Sequence, residues 1–287
     1  MRALVTGCNG MLGVSVQKVF NDWDLILTDS IELDVRNIKQ VMSYAKQKPD
    51  IILHLAAETD HFKAEFNPTD AYLTNHTGTQ NMVELARLLD IPIVYIGTAG
   101  IFDGEKDLYT EEDQPNPINH YGRSKYYGEC AVRLYPKHYI LRSGWAMGGG
   151  PEIDKKFINK VYKQIMDGAK TLYGITDIYG TPTYTYDFAL TMREIIEQSV
   201  PYGIYHYSGM GKASRFDVLK AFVECMGISI IVKLVPMTYD EYHDKFPLQC
   251  PYTKSEVLDI SKICKLKVSH MRWWRDALTE YAKQYYD

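Results

Sequence analysis

The chain has 287 residues, 46% of them hydrophobic and 24% charged, with a formal net charge of −4. That suits a globular chain of one large domain or two modest ones, and gives no reason to expect nucleic acid or an anionic membrane as partner. No apolar run approaches bilayer length, "MRALVTGCNG" lacks a signal-peptide apolar region, and five scattered cysteines without a CxxC suggest free thiols in a reducing cytoplasm.

In chain order, "RALVT" (2–6) predicts a strand and "MLGVSVQKVF" (11–20) a helix. "DLILT" (24–28) is a second strand, and "RNIKQVMSYAKQK" (36–48) has helical spacing stopped by Pro49. "DIILHLAA" (50–57) reads as a buried strand, "NMVELARLL" (81–89) as part of a long helix and "IPIVYIG" (91–97) as a strand. A helix at about 120–135 and the strand "HYILRSG" (138–144) follow. This alternation implies a parallel sheet with helices on both faces.

After the break "WAMGGGP" (145–151) the rhythm loosens. A helix is expected at about 155–168, loop and short strand over 171–186, and a helix over 188–199. A strand over 203–209 and helices over 215–227 and 271–286 complete the pattern. The later half should therefore contain a smaller mixed lobe. The expected division is 1–145 plus about 176–206 as a dinucleotide domain, and about 146–175 plus 207–287 as a substrate lobe.

"VTGCNGMLG" (5–13) links the first strand to the first helix, with Gly7, Gly10 and Gly13 in GxxGxxG spacing. The first can turn the chain, the second can admit a pyrophosphate and the third can permit helix–strand contact, while the helix N-terminus offers free N–H groups. A plain glycine-rich turn is the competing reading; the strand–loop–helix context favours a dinucleotide. Asp29 ends the second strand, where a carboxylate can hold ribose hydroxyls and repel a 2′-phosphate. This leans towards NAD over NADP, unless Asp29 is only a turn carboxylate. Asp34 and Val35 are placed at the adenine edge.

"YGRSKYYGE" (121–129) sets Tyr121 and Lys125 on one helix face. In a chain with 23 tyrosines this could be an ordinary polar face. Thr98, just past a strand, could meet Tyr121 at the carboxyl end of the sheet. A phenol is a poor acid–base group at neutral pH, and a neighbouring Lys⁺ would lower its pKa.

With these motifs, the chain resembles the extended short-chain dehydrogenase/reductases. "TGCNGMLG", "LHLAAET", "NHTGTQNMVELA" and "YGRSKYYGE" occur in that family's order. More narrowly it is similar to the dTDP-4-dehydrorhamnose reductase branch, through "KAEFNP" (63–68), "IFDG" (101–104), "LRSGW" (141–145), "GTPTYTYDFA" (180–189), "GIYHYSG" (203–209) and "SEVLDISKI" (255–263).

The resemblance implies an α/β fold, a Rossmann-type doubly wound parallel sheet with a smaller substrate lobe. It also implies hydride transfer from NAD(H) or NADP(H) to a nucleotide-linked 4-keto-6-deoxy sugar. Tyr121 would give the proton, with Lys125 and Thr98 completing a triad. Gly7, Asn9, Gly10, Met11, Leu12 and Gly13 would cradle the cofactor diphosphate. Leu55, Ala56, Ala57 and Asn75 would line the cofactor cleft, and Thr98, Ala99 and Trp145 the sugar. A homodimer through the helices around 68–89 and 120–135 would follow, with a plain surface-helix reading beside it.

Three departures stand out. Gly97-Thr98-Ala99-Gly100 replaces the family's Ser-Thr-Asp-Tyr, Cys250-Pro251 replaces Arg-Pro, and His61-Phe62 replaces Val-Asp. They imply a different sugar or nucleotide. Ala99 and Gly100 cannot transfer protons, which disfavours a 4,6-dehydratase. An epimerase using the same Tyr–Lys pair, or a non-catalytic NAD(P)-binding regulatory subunit, stays open. Glu58 and His61 lie at the cleft mouth, where a substrate role is open. His54 reads as a packed core residue. No His/Cys/Asp/Glu cluster has ligand spacing, so no metal is expected.

Overall fold

The computed structural model describes residues 1–228, 232–247, 250–266, 268 and 270–286. Its first half runs β1 (Arg2–Thr6), α1 (Met11–Val19), β2 (Asp24–Thr28), α2 (Ile38–Ser43), β3 (Ile51–His54), α3 (His61–Phe66), α4 (Pro68–Tyr72), α5 (Thr79–Leu89), β4 (Ile93–Thr98), α6 (His120–Arg133) and β5 (His138–Ser143). The second runs β6 (Ala146–Met147), α7 (Phe157–Met166), β7 (Thr171–Ile175), β8 (Tyr179–Gly180), β9 (Thr183–Tyr184), α8 (Thr185–Glu197), β10 (Gly203–His206), β11 (Ala213–Ser214), α9 (Arg215–Cys225), β12 (Lys233–Met237), α10 (Tyr239–Lys245), α11 (Ser261–Cys264) and α12 (Trp274–Tyr285). Among the described residues no helix is long and apolar enough to cross a membrane.

Six parallel strands form the central sheet in the order β2-β1-β3-β4-β5-β10. Successive strand residues face opposite sides. Leu4, Ile52 and Ile140 pack with Val41, Met82, Leu85 and Val132 on one face. Val5, Leu53 and Leu141 pack with Val16, Phe20, Phe188 and Met192 on the other. Burial on both faces is why these strands read as unbroken apolar runs. A separate core joins β7, α9 and α12 through Leu172, Leu219, Phe222, Leu278 and Tyr281. The direction of winding reverses at β1, between β2 and β3, and the crevice at that switch point is where such sheets bind ligands.

Several elements differ from the sequence pattern. β3 stops at His54: the Leu55 N–H is shared between the Thr6 carbonyl at 3.3 Å and the Thr6 hydroxyl at 3.2 Å, and the hydroxyl also takes the Ala56 N–H at 3.2 Å, where the ladder ends. The helix expected over 36–48 tightens after Ser43 into a 3₁₀ turn ending at left-handed Lys48 (φ 50°). The long helix before β4 contains a π-helical turn, Leu73–Gly78. β12, which pairs in parallel with β7, and the short helix α10 carry no strong periodicity and are not anticipated.

A buried ion pair ties the layers together. Arg142 of β5 donates to both carboxylate oxygens of Glu129 on α6, at 3.0 and 2.6 Å, with both side chains 1% exposed. Another guanidinium nitrogen, Nη1, lies 3.2 Å from His206 Nε2 on β10. Burial and the Arg142 charge push His206 down to about 3, so its neutral ring accepts from Arg142 and donates through Nδ1 to the Tyr109 carbonyl. Arg142→Met leaves Glu129 buried without a counter-ion. It should cost roughly 3–5 kcal/mol, read as a lowered urea midpoint at unchanged slope.

Candidate active site

β4 delivers Thr98 to the crevice, where its buried hydroxyl accepts the Gly100 N–H at 3.1 Å. α6 starts alongside, capped by the Asn119 side chain, which accepts the Gly122 N–H at 2.8 Å. The helix comes very close. A methyl group at Gly122 would stand 2.1 Å from the Gly100 carbonyl oxygen, and one at Gly128 would stand 2.1 Å from that of Asn75. Only glycine at both positions lets α6 lie against the end of β4 and the π turn.

That approach brings Tyr121 and Thr98 together and buries Lys125 beneath them. Lys125 Nζ sits 4.3 Å from the Tyr95 ring centroid, while the Tyr95 hydroxyl donates to the Lys125 carbonyl at 2.8 Å. The acid one turn on, Glu129, is engaged by Arg142, and among the described residues Lys125 makes no ion pair. Burial pushes the Lys125 ammonium down to about 7, opposed by the Glu129 charge. Burial also pushes the Tyr121 phenol up to about 12, against a lowering hydrogen bond with Thr98. The expected depression of the phenol pKa by Lys125 is thus reversed: desolvation of the phenolate dominates.

The His61 ring stacks on Tyr121 at 4.2 Å and 25°, and lies nearly parallel to Tyr252 at 6.3 Å. Burial, then the charges of Lys156 and Arg215, hold His61 down to about 4. Its buried Nδ1 has no hydrogen-bond partner among the described residues. Trp145, strained at φ 40°, donates through Nε1 to Glu256 at 2.8 Å. Tyr252, Glu256, Lys156 and Arg215 escape sequence reasoning. The Cys250-Pro251 departure two residues before Tyr252 is the nearest signal.

The glycine loop has the shape its motif implies. Gly7 is left-handed (φ +68°), and a methyl there would lie 2.9 Å from Ala56 Cα. A methyl at Gly13 would lie 2.4 Å from the carbonyl oxygens of Gly7 and Cys8. From Gly10, by contrast, only the Gly7 oxygen among the described residues is within 4 Å, at 3.4 Å, which leaves space at the start of α1. This cradle fits a dinucleotide diphosphate.

Asn9 N–H donates to Asp29 at 3.2 Å, fixing that carboxylate beside the loop. Met11 and Leu12 are half-buried in the first turn of α1, and Leu55, Ala56 and Ala57 line the chain leaving β3. Asp34 is bound in bidentate fashion by Arg36, at 2.8 and 2.9 Å, and Val35 is buried with its carbonyl held by Asn81.

Asn75, inside the π turn, is fully buried. Its amide exchanges hydrogen bonds with the Glu58 backbone and reaches Ser124 Oγ at 2.9 Å, locking the loop after β3 to α6. The Glu58 carboxylate turns to Lys63 (2.7 Å) and the Asp60 N–H (2.9 Å). Ala99 packs inward with Ile101, Phe102 and Leu258, beneath the cleft. His54 is a core residue, bridging Thr6 and Thr79 at 2.8 and 3.0 Å.

Gly13→Ala should weaken NAD(P)H binding, followed by fluorescence titration, by roughly tenfold to hundredfold, the effect of about 1–3 kcal/mol of overpacking.

Comparison with known proteins agrees with this geometry. A dTDP-4-dehydrorhamnose reductase from Aggregatibacter actinomycetemcomitans is 32% identical over 273 residues, 91% of this chain and 92% of that one. The crystal structure of a dTDP-4-dehydrorhamnose reductase from Clostridium acetobutylicum superposes with a TM-score of 0.90 at 32% identity, covering 99% of each chain. The enzyme of that name from Bacillus anthracis, solved in complex with NADP, gives 0.90 at 28% identity over 99% of each chain. The model for the RmlD substrate binding domain matches residues 1–287, and the chain belongs to that family.

Proposed function

We propose that the protein is an NAD(P)-dependent oxidoreductase that reduces the ketone of a nucleotide-linked 4-keto-6-deoxy sugar. The observation that carries this reading is the approach of Tyr121 to Thr98 at the carboxyl end of β4, with Lys125 buried one turn further along α6, in a chain of this family with an open glycine cradle. When bound, a reduced nicotinamide dinucleotide supplies the hydride. Gly7, Gly10 and Gly13, with the first N–H groups of α1, hold its diphosphate, and Asp29 its ribose. The Thr98 hydroxyl orients the carbonyl oxygen. Tyr121, protonated at neutral pH, delivers the proton to the forming alkoxide. The Lys125 charge stabilises the phenolate left behind.

NADH is the favoured cofactor in this reading. Asp29 would repel a 2′-phosphate, and the nearest arginine, Arg36, is held by Asp34. The kcat/KM should therefore be higher with NADH than with NADPH. A homodimer, through the helices that leave Leu73 and Tyr127 exposed, belongs to the same proposal, as does the division into a cofactor domain and a substrate lobe.

Tyr121→Phe should lower NAD(P)H oxidation with 4-keto-6-deoxy nucleotide sugars by about a hundredfold to ten-thousandfold while dinucleotide binding persists. Retained turnover would refute the assigned acid. Lys125 is cationic below about 7 and Tyr121 stays protonated up to about 12. Reduction should therefore fall as pH rises through about 7, long before the phenol ionises; a flat kcat profile from pH 6 to 9 would contradict the role of Lys125.

A further inference from the structure

Arg215 opens α9, directly after the Ser214 cap, and its side chain crosses to Trp145. The guanidinium carbon lies 3.5 Å from the Trp145 ring centroid and 5.3 Å from that of Phe157. Among the described residues this guanidinium makes no ion pair and no side-chain hydrogen bond. Glu256 is the acid whose charge reaches it, yet both Glu256 oxygens already accept from neutral donors, Trp145 Nε1 at 2.8 Å and Thr253 Oγ1 at 3.1 Å. The five N–H donors of Arg215 are therefore free among the described residues, on a plane fixed by stacking. Trp145 itself cannot shift easily, since its strained backbone sets the indole over Gly180, where a methyl group would stand 2.3 Å from Cε2.

A second cation stands nearby. Lys156, next to Phe157, donates to the Thr59 carbonyl at 2.7 Å and to its hydroxyl at 3.2 Å, and makes no ion pair among the described residues. His61 feels both charges, so the two cations and the Tyr121–His61 stack share one cleft. His61 is neutral, so the cations of this cleft are Arg215 and Lys156. The carboxylates of Asp60, Asp154 and Glu58 lie near Lys156 and that of Glu256 near Arg215, but none is in ion-pair contact with either cation among the described residues. Half-buried cations without a direct partner are costly, and a planar guanidinium with free donors suits the bidentate geometry of a phosphoryl group. Two such charges match the two charges of a diphosphate diester. The cofactor diphosphate has its own cradle at the glycine loop.

We propose that Arg215 and Lys156 form the subsite for the diphosphate of the substrate, with the Trp145-stacked guanidinium gripping one phosphoryl group; this rests on the nucleotide-sugar reading. The subsite fixes the nucleotide half while the ketone reaches Thr98 and Tyr121, so it governs substrate affinity rather than the chemical step.

The test compares the wild-type protein with Arg215→Met, Arg215→Lys and Lys156→Met. Calorimetry with dTDP, UDP and GDP, and with the corresponding nucleosides, gives affinities; steady-state reduction of a nucleotide-linked 4-ketosugar separates KM from kcat. Arg215→Met should weaken diphosphate binding and raise KM by about tenfold to hundredfold, the range for a hydrogen-bonded charge. Its kcat should stay close to the wild-type value and its nucleoside affinity should be unchanged. Arg215→Lys should recover part of the loss, and Lys156→Met should show a smaller loss of the same kind. If Arg215→Met does not fold, judged by circular dichroism and NAD(P)H binding, Arg215→Lys and Lys156→Met carry the same comparison. Unchanged diphosphate affinity in the folded variants, with a wild type that turns over, overturns the subsite alone. A wild type that binds none of the diphosphates and reduces no nucleotide-linked ketosugar overturns both the subsite and the reading beneath it.

Discussion

The site depends on how closely one helix approaches the sheet. α6 has hydrogen in place of a side chain at Gly122 and Gly128, and at each point a methyl group would stand 2.1 Å from a backbone carbonyl oxygen. Between and beyond these contacts the helix presents Tyr121, Lys125 and Glu129, spaced four apart on one stripe. The first reaches the cleft, the second lies under it and the third is anchored to β5 through Arg142. Tyr121, Lys125 and Glu129 are thus set by a single rigid-body placement, the kind of precision that the proposed proton transfer requires.

The same closeness shapes the electrostatics. Glu129 is held by Arg142 and does not neutralise Lys125, which rests against the Tyr95 ring. Water is excluded, so the uncharged forms of both the phenol and the amine gain ground. A proton donor at neutral pH is served by a phenol that keeps its proton. The surrounding aromatic stack of His61 and Tyr252 continues that exclusion towards the cleft mouth.

Much of this was readable in the residues, and the limits have physical causes. β1 and β2 match their apolar runs residue for residue: β1 because a strand buried on both faces writes its pattern locally, and β2, half-exposed at the sheet edge, because its apolar run is short and sharply bounded. The glycine loop and the Tyr–Lys pair were legible because each is a short-range constraint. β12 and α10 were not: their stability comes from pairing with β7 and packing on it, which no local period records. Arg215, Glu256 and Tyr252 lie more than 90 positions from Tyr121 in sequence and meet it only through the fold. The rise in the phenol pKa was missed for a similar reason, since burial is a property of the assembled site. Glu58 shows the reverse case: its place at the cleft mouth was apparent, but not that Lys63, one turn into α3, would draw its carboxylate away.

The π turn at Leu73–Gly78 separates two angular registers in what is otherwise one helical rod. Each helical residue advances the side-chain direction by about 100°, so the additional residue lets Ala71 and Asn75 face α6 while Met82, Leu85 and Ala86 still face the sheet. Loss of one residue there would straighten the rod and turn one set or the other to solvent. Leu73, exposed on the outer side of the turn, makes no demand on this register, whereas the length of the segment does. In this stretch it is the count of residues, more than their chemistry, that the active site constrains.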